Sequence, residues 1–153
     1  MRDLGLYAPL LAFALTASAC NNSSTTTPSS PAPTVSETLS GVVAAPSSGG
    51  PQPTSFVSFN STGAGTGTVT LTAAVETLAN GSSNPAVVVG LALGTPSGST
   101  CTLASGSSAL LVQASPAPLS APFVAGANCI LVTSGDQSAS AGPVAYTLVI
   151  VHF

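Results

Sequence analysis

Between residues 67 and 75 the chain alternates strictly, with Val69, Leu71, Ala73 and Val75 on one side and Thr68, Thr70, Thr72 and Ala74 on the other. A period of two predicts a strand with one buried face and a row of threonine hydroxyls in water. Two further segments are apolar in both phases. The segment 144–152 sets Val144, Tyr146, Leu148 and Ile150 against Thr147, Val149 and Val151. The segment 87–93 sets Val87, Val89, Leu91 and Leu93 against Val88, Gly90 and Ala92. Both predict strands covered on two faces. Weaker alternation predicts strands over 38–43, 54–60, 100–104, 109–114 and 127–133. Turn signals separate them at Ser48-Gly49-Gly50-Pro51, Asn80-Gly81, Pro96-Ser97-Gly98 and Ser134-Gly135-Asp136. About eight short strands at such spacing predict an all-β, antiparallel sandwich or barrel over residues 38–153.

The first twenty residues follow another pattern. Arg2 makes a weak positive start, Leu4 to Leu15 is an apolar run, and Thr16-Ala17-Ser18-Ala19-Cys20 follows. Small residues at Ala17 and Ala19 fit a signal-peptidase site and predict an export signal over residues 1–19. The stretch also resembles the bacterial lipoprotein signal, the lipobox, which implies acylation of Cys20. The usual leucine three places before the cysteine is replaced here by Ala17. Three cysteines bear on the choice. In an oxidising compartment Cys101 and Cys129 can pair within the domain, which leaves Cys20 over at the first position after cleavage. Lipidation explains that coincidence, whereas plain secretion leaves a reactive thiol exposed. An uncleaved anchor helix is the remaining rival, opposed by the shortness of the run and by Pro9.

Residues 20–37 then read as a tether. Ser, Thr, Pro and Asn dominate NNSSTTTPSSPAPTVS, and such a segment buries too little to offset its ordering entropy. As a coil of 16 residues it spans roughly 20–25 Å, enough to hold a domain just clear of a bilayer. Asn21 follows Cys20 where an aspartate resembles an inner-membrane retention signal. The expected address is therefore the cell envelope, at the outer membrane where the cell has one, or otherwise secretion.

Charge narrows the function classes. Only 3% of residues are charged, against about 25% in an average domain. Beyond Arg2 and Asp3 the chain carries Glu37, Glu76 and Asp136 and no Lys or Arg. Nucleic acid, gripped through its phosphates by cations, is excluded as a partner. Attraction to anionic lipid headgroups is excluded on the same ground, so any membrane attachment must be hydrophobic, through an N-terminal lipid.

From residue 54 to 152 the chain resembles the bacterial pre-peptidase C-terminal type of domain. The matching pieces are Phe56-Val57-Ser58-Phe59, Gly67-Thr68-Val69-Thr70-Leu71-Thr72, Gly90-Leu91-Ala92-Leu93-Gly94, Ala125-Gly126-Ala127-Asn128-Cys129-Ile130-Leu131-Val132 and Ala145-Tyr146-Thr147-Leu148-Val149. The resemblance implies a jelly-roll-like β-sandwich on a secreted protein, with a cysteine pair where Cys101 and Cys129 stand. The family usually has an aromatic where Asn128 sits, and often acidic residues for calcium.

Catalysis needs titratable groups brought together. The mature chain offers three dispersed acids, His152 next to the last residue, and no G-x-S-x-G elbow; Gly94-Thr95-Pro96-Ser97-Gly98 has its serine one place late. Zinc, copper and calcium sites lack the ligands they require, so no cofactor is expected. The expected function is a non-catalytic envelope lipoprotein, binding or packing against an envelope protein or glycan. The alternative is an accessory or inhibitor-like domain working with a secreted hydrolase. Leu119 and Phe123, in the loop Pro116 to Phe123, are candidate anchors for a partner; equally, they can plug the end of the sandwich.

Overall fold

Apolar alternation along the chain is satisfied in a computed structural model by two antiparallel sheets packed face to face. The structure describes residues 33–112, 118–135 and 141–153, with backbone only over 107–112. The export signal, Cys20, the tether as far as residue 32, Asp136 and the end of the predicted strand 109–114 lie outside the described residues.

Among the described residues nine strands follow in order: β1 Val35–Val43, β2 Thr54–Ser61, β3 Gly65–Thr77, β4 Ser83–Asn84, β5 Val88–Ser97, β6 Thr100–Val112, β7 Leu119–Phe123, β8 Gly126–Ser134 and β9 Val144–His152. Sheet A has the order β1-β9-β3, with β4 and β7 both paired to β3. Sheet B has the order β2-β8-β5-β6. With the two-residue β4 set aside, β1-β9-β3-β7 faces β2-β8-β5-β6. That is the order of two interleaved Greek keys, a jelly roll. The core between them is aliphatic, built on Val69, Leu71, Leu91, Ile130, Val132, Leu148 and Ile150, with Phe59 and Phe123 edge-to-face at 5.1 Å.

Five sequence expectations are corrected by this arrangement. The tether was expected to run to residue 37, but pairing with β9 begins at Val35↔His152. Glu37 and Leu39 face inward there and are half-buried, so the alternation that makes a strand already starts inside the polar stretch. In β3 the register shifts between Leu71 and Ala73. Val69 and Leu71 face the core as expected, but the extra residue of this bulge reverses the phase. Ala74 and Glu76 then point inward, while Ala73 and Val75 point out.

The third correction concerns β9. Its Thr147, Val149 and Val151 are half-buried and line the outer face of sheet A, whereas β5 is buried on both faces through Leu93 and Gly94, as expected. Fourth, the strands expected at 100–104 and 109–114 are one long strand, β6. Between the pairs Gly94↔Leu103 and Ala92↔Ser108 its residues 104–107 bulge away from β5, around Gly106 at φ +74°. β6 is an edge strand without charged residues, and the bulge blunts it against pairing with other chains. Last, the expected loop Pro116 to Phe123 ends in strand β7. Pro122 is tolerated because β7 lies on the edge of sheet A, paired only with β3.

Candidate functional site

At the end of the sandwich where β1 begins, the last inward positions of β9 and β1 are polar. His152 is 2% exposed, wedged against Phe59 with ring centroids 5.1 Å apart. Its Nε2 donates to Glu37 Oε1 at 3.1 Å, and Nδ1 lies 3.1 Å from the main-chain oxygen of Phe153. Around the same oxygen gather the Ser61 hydroxyl, which donates to it at 2.9 Å, and the Thr62 N–H, which donates at 2.6 Å. Strand period explains the burial: Tyr146, Leu148, Ile150 and His152 share one phase of β9. Its place next to the last residue gives no sign of burial in the sequence, yet His152 is part of the packed interior.

The opposite end holds the second buried polar group. Glu76 is fully buried, and its carboxylate accepts from Asn84 Nδ2 and from the Gly142 N–H, each at 3.0 Å. Asn84 in turn accepts the Ala86 N–H through Oδ1 at 3.1 Å. Glycine is required at 142, because a Cβ there would overlap the Thr77 carbonyl. Sequence reasoning missed Glu76 because it extended the alternation of β3 across the bulge.

Tyr146 reaches from β9 over Gly41 of β1, where any side chain would collide with its ring, to share a 3.2 Å hydrogen bond with Ser55 of β2. Burial pushes its phenol above the ordinary value of 10.0, and the Ser55 bond partly opposes this. The protonated phenol is therefore favoured in the fold. Its contribution to stability is present in full below about pH 10 and is lost as pH rises from there through the raised value. Urea midpoints should be level between neutrality and pH 9, then fall above pH 10 more steeply in wild type than in Tyr146→Phe. Parallel curves for the two proteins would contradict this assignment.

Cys101 of β6 and Cys129 of β8 are joined, with Cα atoms 6.0 Å apart. The bridge crosses the outer face of β5, and a Cβ on Gly94 would come within 3.0 Å of Cys101 Sγ and overlap the Thr102 carbonyl. Asn128, beside Cys129, is buried and turns inward. It accepts the Val124 N–H at 3.2 Å and donates to the carbonyls of Val124 and Gly126 at 2.9 Å each, closing the turn from β7 to β8. Of the two candidate anchors, Phe123 is 2% exposed in the core and Leu119 packs against that core. Their geometry is that of the plug, the second of the two readings.

Outside sheet A, Ser36, Thr38, Ser40 and Val42 of β1 lie in rows with Val151, Val149, Thr147 and Ala145 of β9. Thr68, Thr70, Ala73 and Val75 of β3 continue these rows. None of the described residues in these rows is charged. A shallow groove of about 430 Å³ runs over Ala73 and Ala145 between Val42 and Val75.

No protein family matches the chain, and no curated protein matches it. Among the described residues no three His, Cys, Asp or Glu side chains come together in a metal-binding group. Every buried polar side-chain atom there has a hydrogen-bond partner.

Proposed function

We propose that this chain is a lipid-anchored cell-envelope protein whose jelly roll works by uncharged binding or packing rather than by catalysis. One observation carries this reading. Glu37 and His152 hold each other, and Glu76 is held by Asn84 and Gly142, so each acid and imidazole among the described residues is spent inside the fold. Groups tied up in this way are not poised to move protons for a substrate. Contact is left to hydroxyls, small apolar side chains and backbone, as on the outer face of sheet A. The partner in this reading is an envelope protein or glycan.

The anchor rests on the Ala-Ser-Ala-Cys junction and on cysteine parity, since Cys101 and Cys129 use each other and leave Cys20. Labelled palmitate should enter the wild-type protein and be absent from Cys20→Ser. Release of an unlabelled wild-type protein into the medium would overturn this part.

Uncharged contacts need no screening, so partners captured from envelope extract should stay bound as salt is raised. Loss of all partners at moderate salt counts against neutral recognition. A turnover that disappears on substituting His152, with the fold retained, counts against the non-catalytic reading. The jelly-roll strand order, together with the resemblance to pre-peptidase C-terminal domains, supports a second reading as an accessory or inhibitor-like partner of a secreted hydrolase. At the level of fold this is analogy, and co-purification of a hydrolase would favour it.

A further inference from the structure

We propose that β1 is an exchangeable strand, which can leave its place beside β9 and be replaced by β1 of a second copy of this chain. Among the strands of sheet A, β1 is shallowly buried. Its inward residues Glu37, Leu39 and Gly41 are half-buried, only Val43 is fully enclosed, and the alternate positions are exposed. Among the described strands it pairs with β9 alone. Segments with few buried contacts open at low free energy, ahead of the rest of the fold.

The connection to β2, residues 44–53 (AAPSSGGPQP), is long and mostly exposed. It is held by one turn bond, from the Gly50 N–H to the Ser47 carbonyl at 3.0 Å, and by the Gln52 side chain on the Ser134 carbonyl. Stretched out, ten residues span about 33–36 Å, enough to carry β1 to a neighbouring domain.

The slot that β1 vacates specifies what can refill it. The edge of β9 offers a row of backbone donors and acceptors, which any extended strand can use. The side chains are more selective. Tyr146 admits only glycine opposite it, the position of Gly41. His152 calls for an acid one inward position along from the strand's start, the place of Glu37. Val144 calls for an apolar residue at the far end, the place of Val43. The sequence that meets all three conditions is β1 itself, so the fitting occupant is a second copy. Exchange of this kind needs no new interface. It also stands independently of the lipid anchor, which would only concentrate the copies.

Ser40 and Thr147 face each other across the β1–β9 pair, with hydroxyls 3.1 Å apart. Full-length protein carrying Ser40→Cys, isotope-labelled, is mixed with unlabelled full-length Thr147→Cys, incubated and oxidised. Neither chain can make the 40–147 link alone, so that link between a labelled and an unlabelled peptide reports exchange. It should outnumber 40–40 and 147–147 links by about tenfold, because a docked strand sees its partner at millimolar effective concentration. Glu37→Ala, which releases the latch to His152, should speed its appearance several-fold. A chain carrying both substitutions and oxidised before mixing should stay monomeric on sizing at concentrations where wild type dimerises. The proposal is overturned if 40–147 links are no more frequent than the like-with-like links, or if wild type and locked protein size identically at every concentration.

Discussion

Glu76→Ala is expected to remove a large share of the stability of this domain. The substitution orphans the buried Gly142 N–H and the half-buried Asn84 amide. A buried donor left without an acceptor costs about 1–3 kcal/mol, and the Asn84 amide, which water can reach, adds less than a second such penalty. A domain of this size has about 5–15 kcal/mol in all. Glu76→Gln should be milder. Its carbonyl can still accept from Gly142, but its new NH2 group confronts Asn84, whose amide can turn to meet it only by giving up Ala86. Urea denaturation measures both effects. Hydrogen exchange locates them, because the Gly142 amide should be protected in wild type and exchange quickly in Glu76→Ala. A Glu76→Ala protein within 1 kcal/mol of wild type (about one lost surface contact) would show that the carboxylate is not holding this corner.

Cys129→Ser should lower the unfolding temperature by on the order of 10–20 °C. The bridge joins residues 28 apart in sequence. In the chain-entropy account, closing a loop of that length contributes about 3–4 kcal/mol. The variant also leaves a hydroxyl at a site with no solvent access. Calorimetry of the oxidised protein and the variant gives the shift directly. A change below about 5 °C, which corresponds to roughly 1 kcal/mol, would mean that the sheets hold β6 in place without the bridge.

What could be read in the sequence was whatever a period of two could carry. The segments at 144–152 and 87–93 and the first half of β3 were legible because large aliphatic residues repeat on one phase for several steps. The bulge after Leu71 was not legible: Ala73 and Ala74 are alike in size and polarity, so the change of phase between them leaves no mark in composition. Glu76 was hidden by that change, since continued alternation places it in water. β7 was hidden differently, by prolines that signal a loop although one of them, Pro122, is compatible with an edge. For Glu37 and His152 the missing information was pairing. Each is an unremarkable polar residue in its own strand, and only the register Val35↔His152 brings them together. The cysteine pair was legible from parity, because parity does not depend on register.

The place of β9 in sheet A bears on when this protein can fold. β1 and β3 do not touch as neighbours in the sheet; each pairs with β9, which lies between them. A ribosome or a translocation channel delivers β1 first and β9 after every other strand, so during synthesis sheet A has its two flanks and no centre. The aliphatic row of β3 then has only β7 and the two-residue β4 beside it, and sheet A is not completed until the segment up to His152 has emerged. Contacts between such distant parts of a chain form slowly. Delay of this kind would suit the export proposed for this chain, in which a polypeptide passes a membrane in extended form.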